Sequence, residues 1–111
     1  MFRDEFQASR ALRALLQTTP GTAGIWMTKG PSPQALQYMR ADGGPLASGE
    51  RTLLQAAFAL WHGQGGIPLA EVVENLELKP AERLCSLVVA IKRGAQAIDD
   101  WIVTSARSYV F

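Results

Sequence analysis

The sequence predicts an all-α fold, a compact bundle of four to five helices, and three observations carry that prediction. Apolar residues recur three and four apart in several stretches, most broadly in residues 80–93, where Leu84, Leu87, Val88 and Ile91 fall on one side of a helix. Glycine and proline gather between those stretches, at Pro20, Gly21, Gly24, Gly30, Pro31 and Pro33 and again at Gly63, Gly65 and Gly66, where they stop helices and make turns. The composition is globular: 48% hydrophobic and 19% charged side chains over 111 residues suit one packed helical domain, residues 1–111, and not a disordered chain.

Taken in order, residues 2–17 form the first predicted helix, with Phe2, Leu12, Leu15 and Leu16 on its apolar face. Arg3, Arg10 and Arg13 gather on an adjoining edge beside Phe6, either as a solvated flank whose stems cover apolar surface or as a small basic contact for a partner or phosphate. Residues 24–29 have strand-like composition but are too few to stand alone. Trp26 and Met27 in that stretch have two roles open to them: they plug a gap in the core, or they stand out as an anchor for another protein. Residues 34–40 make two helical turns bearing Leu36 and Met39, and residues 42–45 break the chain. Ser48 is a suitable N-cap with Glu50 in the positive first turn, and residues 51–62 bury Leu53, Leu54, Ala57, Phe58, Leu60 and Trp61.

After Pro68, Leu69, Val72, Val73 and Leu76 make a short stripe, while Glu71, Glu74 and Glu77 recur three apart on the outside. Like charges so close repel, so that face is solvated or meets something basic. Residues 80–93 are the segment the rest is organised around. Cys85 and Val89 widen its stripe until only Glu82, Arg83, Ser86, Ala90 and Arg93 remain as a polar strip. Pro80 suits the first helical position and puts Leu78 and Lys79 outside the helix, and Gly94 closes the far end. Ile98, Trp101 and Ile102 continue a helical stripe, with Asp99 and Asp100 on an exposed early turn. Residues 104–111 end in Tyr109, Val110 and Phe111, which can pair with residues 25–28 as a very short two-stranded element.

Composition and motifs bear on function mainly by exclusion. Net charge is +1, so no overall field draws the chain to nucleic acid or to an anionic membrane. The longest apolar run, residues 56–61, is far below the roughly 20 residues of a membrane span. One cysteine rules out an internal disulfide, and the acidic start lacks an apolar signal core, so the expected location is the cytoplasm. Cys85 lies on the apolar flank of the central helix and reads as a small buried thiol. One His and one Cys on separate helices make no structural zinc site, so neither a metal nor a cofactor is expected. Residues 63–66 follow a helix and lack the Lys-Ser/Thr of a phosphate loop. Nothing assembles a nucleophile, a base and an anion hole, and the chain is read as a non-enzyme.

One local resemblance carries content. Residues 67–94 contain the stripe Leu69, Val72, Val73 and Leu76, a turn over residues 78–80, and the stripe from Leu84 to Ile91. They resemble the helix-turn-helix segment of winged-helix transcription factors, with residues 48–63 resembling the preceding helix. The resemblance implies that the second helix would present Ala81, Glu82, Arg83 and Ser86 to a major groove. Glu77 stands in the turn where that family commonly has glycine, and Glu71, Glu74 and Glu82 set negative charge beside the groove face. No basic wing follows Gly94. Two functions remain. In the first, a non-catalytic helical protein acts on a protein partner, as adaptor, inhibitor or assembly subunit, through Trp26, Met27, Glu71, Glu74 and Glu77. In the alternative, a nucleic-acid-binding regulator uses Lys79, Arg83, Ser86 and Arg93. The oligomeric state is open.

Overall fold

Leu12, Leu15 and Leu16 are fully buried, and the helix that carries them, α1 (Glu5–Leu16), is the one most of the chain packs around. The computed structural model of the chain describes residues 1–40 and 45–108. Within them, α1 is followed by β1 (Trp26–Met27), β2 (Gly30–Pro31), α2 (Pro33–Arg40), α3 (Ser48–His62), α4 (Leu69–Asn75), α5 (Leu78–Arg93) and α6 (Ala95–Ser108). The fold is all-α. Six helices stand among the described residues, because the two-turn α2 and the seven-residue α4 are both separate elements. The radius of gyration is 12.9 Å, close to the ~13 Å of a compact chain of this length.

Each element starts where local chemistry allows. Asp4 caps α1 by accepting a hydrogen bond from the Gln7 backbone N–H at 2.8 Å, so the helix begins three residues beyond Phe2. Ala47, not Ser48, precedes α3, and the Glu50 carboxylate supplies the cap by accepting from the N–H groups of Ala47 and of Gly21. Gly63 closes α3 in the left-handed conformation. The hairpin pairs Trp26 with Pro31 and Met27 with Gly30, antiparallel. Gly30 is required there twice over: its φ is +135°, and a Cβ would come 3.0 Å from the Trp61 ring.

Three expectations need correction. The partner of residues 25–28 is Gly30–Pro31 and not the chain end: residues 104–108 continue α6, and Tyr109, Val110 and Phe111 lie outside the described residues, as do residues 42–44. A two-residue turn closes a hairpin locally, whereas a strand from residue 104 onward would have to interrupt a helix. Helix α5 begins at Leu78, so Pro80 is its third residue. The first-turn N–H groups have no acceptor within the helix, so a proline there forfeits no bond, and Pro80 is itself buried. Helix α4 buries none of its side chains; Leu76, just beyond it, is the residue that enters the core.

The fourth correction concerns how α5 faces the core. Its buried residues are Pro80, Leu84, Leu87 and Ala90, while Val88 is 45% exposed, Val89 is 49% exposed and Cys85 is exposed as well. At about 100° per residue, the buried face is turned roughly 50° from the apolar stripe toward Arg83 and Ser86. The reason is α6. Trp101 on α6 donates its indole N–H to the Ser86 hydroxyl at 2.8 Å, and the Arg83 guanidinium lies 4.4 Å from its ring centroid. An aromatic ring with a satisfied N–H and a stacked guanidinium holds α5 by its mixed side, and small Ala90 lets α6 come close.

A second clamp joins α1 to α6. The Gln7 side-chain amide is buried; it accepts from the Arg3 N–H at 2.7 Å and donates to the Ala95 carbonyl at 2.8 Å and the Asp99 carboxylate at 3.0 Å. Arg3 also pairs with Asp99 at 2.9 Å, so Asp99 is not a free early-turn charge. These bonds favour the ionised carboxylate, first through Gln7 and then through Arg3, and hold the Asp99 pKa below the ordinary aspartate range.

Candidate contact surface

Trp26 is 1% exposed, wedged edge-on against Phe58 and Trp61 with ring centroids at 5.3 and 5.6 Å. It fills the core, and the anchor role is corrected for this residue: an indole held between two aromatic rings has no surface to offer a partner. Its neighbour Met27 points the other way and is 54% exposed, as strand alternation requires.

The three glutamates are all exposed. Glu71 and Glu74 lie on α4, and Glu77 immediately precedes α5. They do not stand alone. Leu69 is 81% exposed and Val73 77%, one turn apart on α4, and Leu78 is 75% exposed directly after Glu77. Leu69, Val73 and Leu78 are therefore exposed alongside Glu71, Glu74 and Glu77 in the stretch from Leu69 to Leu78, in which Leu76 is buried. Helix α4 is held against α3 by its backbone: Gly49 lets the Asn75 carbonyl approach so closely that a Cβ would come within 2.6 Å of that oxygen, and the Asn75 amide donates to the Thr52 hydroxyl at 3.2 Å.

The residues of the nucleic-acid alternative divide. Arg83, Ser86 and Arg93 line one groove between α5 and α6 that also holds Asp100 and Trp101. Arg83 and Ser86 are half-buried and engaged with Trp101, and the Ser86 hydroxyl also donates to the Arg83 carbonyl at 3.0 Å. Lys79 is exposed near the start of α5 and lines a different groove, with Glu50, Asn75 and Glu77. The structure therefore gathers three of the four residues but turns two of them toward a tryptophan.

Sequence reasoning missed Leu69, Val73, Leu78, Cys85, Val88 and Val89 as surface residues. The signal was the excess itself: α5 carries apolar side chains over more of its circumference than one packing partner covers, and a seven-residue α4 has little length over which to dock. Cys85 is corrected from buried thiol to exposed thiol for the same reason. The imidazole of His62 stacks on Phe58 with centroids 6.0 Å apart. Among the described residues no three His, Cys, Asp or Glu side chains are placed to hold one metal ion, and no helix is long and apolar enough to cross a membrane. Comparison with protein-family models, with curated proteins and with solved structures found no match, so the surface can be read only from its own chemistry.

Proposed function

We propose that this chain is a non-catalytic helical protein that acts by contact with another protein, as an adaptor, inhibitor or assembly subunit. The observation that carries this reading is the stretch from Leu69 to Leu78, where Leu69, Val73 and Leu78 are left open to solvent in the company of exposed Glu71, Glu74 and Glu77. Exposed apolar side chains with charged neighbours are what a contact surface needs: the apolar groups supply affinity and the charges select the partner. The complementary partner presents apolar side chains flanked by lysine or arginine. A reducing compartment such as the cytoplasm suits the one exposed thiol.

The test is affinity capture from the native cell with the full chain and with a Leu69→Asp/Val73→Asp variant. The expected outcome is a protein retained by the first and lost by the second, while the two melt within a few degrees of each other. Equal retention by both would remove the assignment.

A second reading rests on the helix pair: α4 and α5 follow one another across a two-residue link, with Lys79 and Arg93 exposed. As a helix-turn-helix module it would bind duplex DNA with an affinity that falls steeply as salt rises. Against it stand exposed Glu71, Glu74, Glu77 and Glu82, and the engagement of Arg83 and Ser86 with Trp101. An electrophoretic shift with mixed duplexes at low salt decides it, and no retention ends this reading.

A further inference from the structure

We propose that the outward stripe of α5 is the seam of a homodimer, in which two copies of the helix lie antiparallel across a two-fold axis passing between Cys85 and Val88. Leu78, Ala81, Cys85, Val88 and Lys92 are separated by three, four, three and four residues. That spacing keeps side chains on one line where two helices pack knobs into holes. Most of the line lies outside the chain's own core: Leu78, Cys85, Val88 and Lys92 are exposed, while Ala81 is half-buried and packs against the core's edge. Small side chains at Ala81 and Cys85 allow a second helix to approach closely, and Val89 flanks the line as a further exposed apolar residue.

Charge identifies the occupant as the same surface turned end for end. Glu82 flanks the line toward its start and Lys92 stands at its end, each roughly five residues, or about 7 Å, from the axis. In an antiparallel pair each Glu82 meets Lys92 of the other copy and the two helix dipoles oppose. A parallel pair would instead set Lys92 beside Lys92 on the seam. Neither side chain has an ion pair among the described residues. A face that complements itself only after a two-fold rotation is the property of an isologous interface. Lys79 lies about 100° around the helix from Leu78, off the seam. The seam shares Leu78 with the surface proposed for the α4 partner but otherwise uses α5, and it does not rest on that partner.

A 16-residue helix is ~24 Å long, so the interface is small and the dissociation constant is on the order of micromolar or weaker. Sedimentation equilibrium of the full chain from about 1 µM to about 1 mM is expected to show the mass rising from 12.1 kDa toward twice that value. Val88→Glu is expected to leave a folded monomer throughout. Glu82→Lys alone weakens dimerisation about tenfold, and Glu82→Lys/Lys92→Glu restores it, because the exchanged charges again oppose across the axis. A short bismaleimide is expected to join two chains through Cys85, and Leu69→Asp/Val73→Asp leaves the dimer unchanged. A chain that stays monomeric at every concentration overturns the proposal. So does a dimer that survives Val88→Glu, or one whose Cys85 thiols cannot be bridged. If Val88→Glu instead abolishes capture of the α4 partner by a monomeric chain, the stripe belongs to that partner.

Discussion

Helices α3 and α4 follow one another in the chain and touch in space, and both carry apolar residues three and four apart, yet they end differently. Helix α3 buries Thr52, Leu53, Leu54, Ala56, Ala57 and Phe58; α4 buries nothing and holds Leu69 and Val73 in water. The difference is length and neighbours. Fifteen residues give α3 four turns to lay against α1, α2 and α4, whereas the seven of α4 are tied at one end by Asn75 and Leu76. Periodicity says which side of a helix would be buried if a surface were there to receive it. It does not say that the surface is there.

The sharpest way to break this contrast is to truncate a ring on α3. Phe58→Ala removes one of the two ring partners of Trp26 and is expected to cost about 3–5 kcal/mol, read as a lower denaturant midpoint. Gly49→Ala attacks the contact between the two helices: its Cβ would collide with the Asn75 carbonyl, and a loss of about 1–3 kcal/mol is expected as α4 is pushed away. If that variant is as stable as the parent, α4 is not held by this approach.

A third measurement uses a clamp outside both helices. The folded pKa of Asp99 lies below its unfolded value, so its stabilisation is complete above about pH 4 and is lost as pH falls toward the lower folded value. The melting temperature is expected to decline over that acid range, and less so in Asp99→Asn, which keeps the shape and loses the charge. The smallest effect is expected on α4: Val73→Ala should change stability by less than about 0.5 kcal/mol, since it removes little buried surface and alanine is the better helix former. A loss above ~2 kcal/mol would mean that Val73 is covered.

The arginines of α1 make the same point in miniature. Arg10 lies over the exposed ring of Phe6 at 5.7 Å, as the clustering of arginines near Phe6 suggests. Arg3, which looks like their companion, sits before the helix and reaches 96 positions along the chain to Asp99. No local pattern encodes a bond of that span.

Sequence alone determined the class of the fold and the sites of its helices, because helix periodicity and the conformational limits of glycine and proline act within a few residues. It also determined that Leu12, Leu15, Leu53, Leu54, Leu84 and Leu87 would be buried. Tertiary structure alone decided the rest: that Trp26 turns inward between Phe58 and Trp61, and that α5 rotates toward Trp101 and leaves Cys85, Val88 and Val89 outside. A helix with more apolar surface than its neighbours can cover must leave part of it exposed. Which part is set by the shape of those neighbours, brought together from distant parts of the chain.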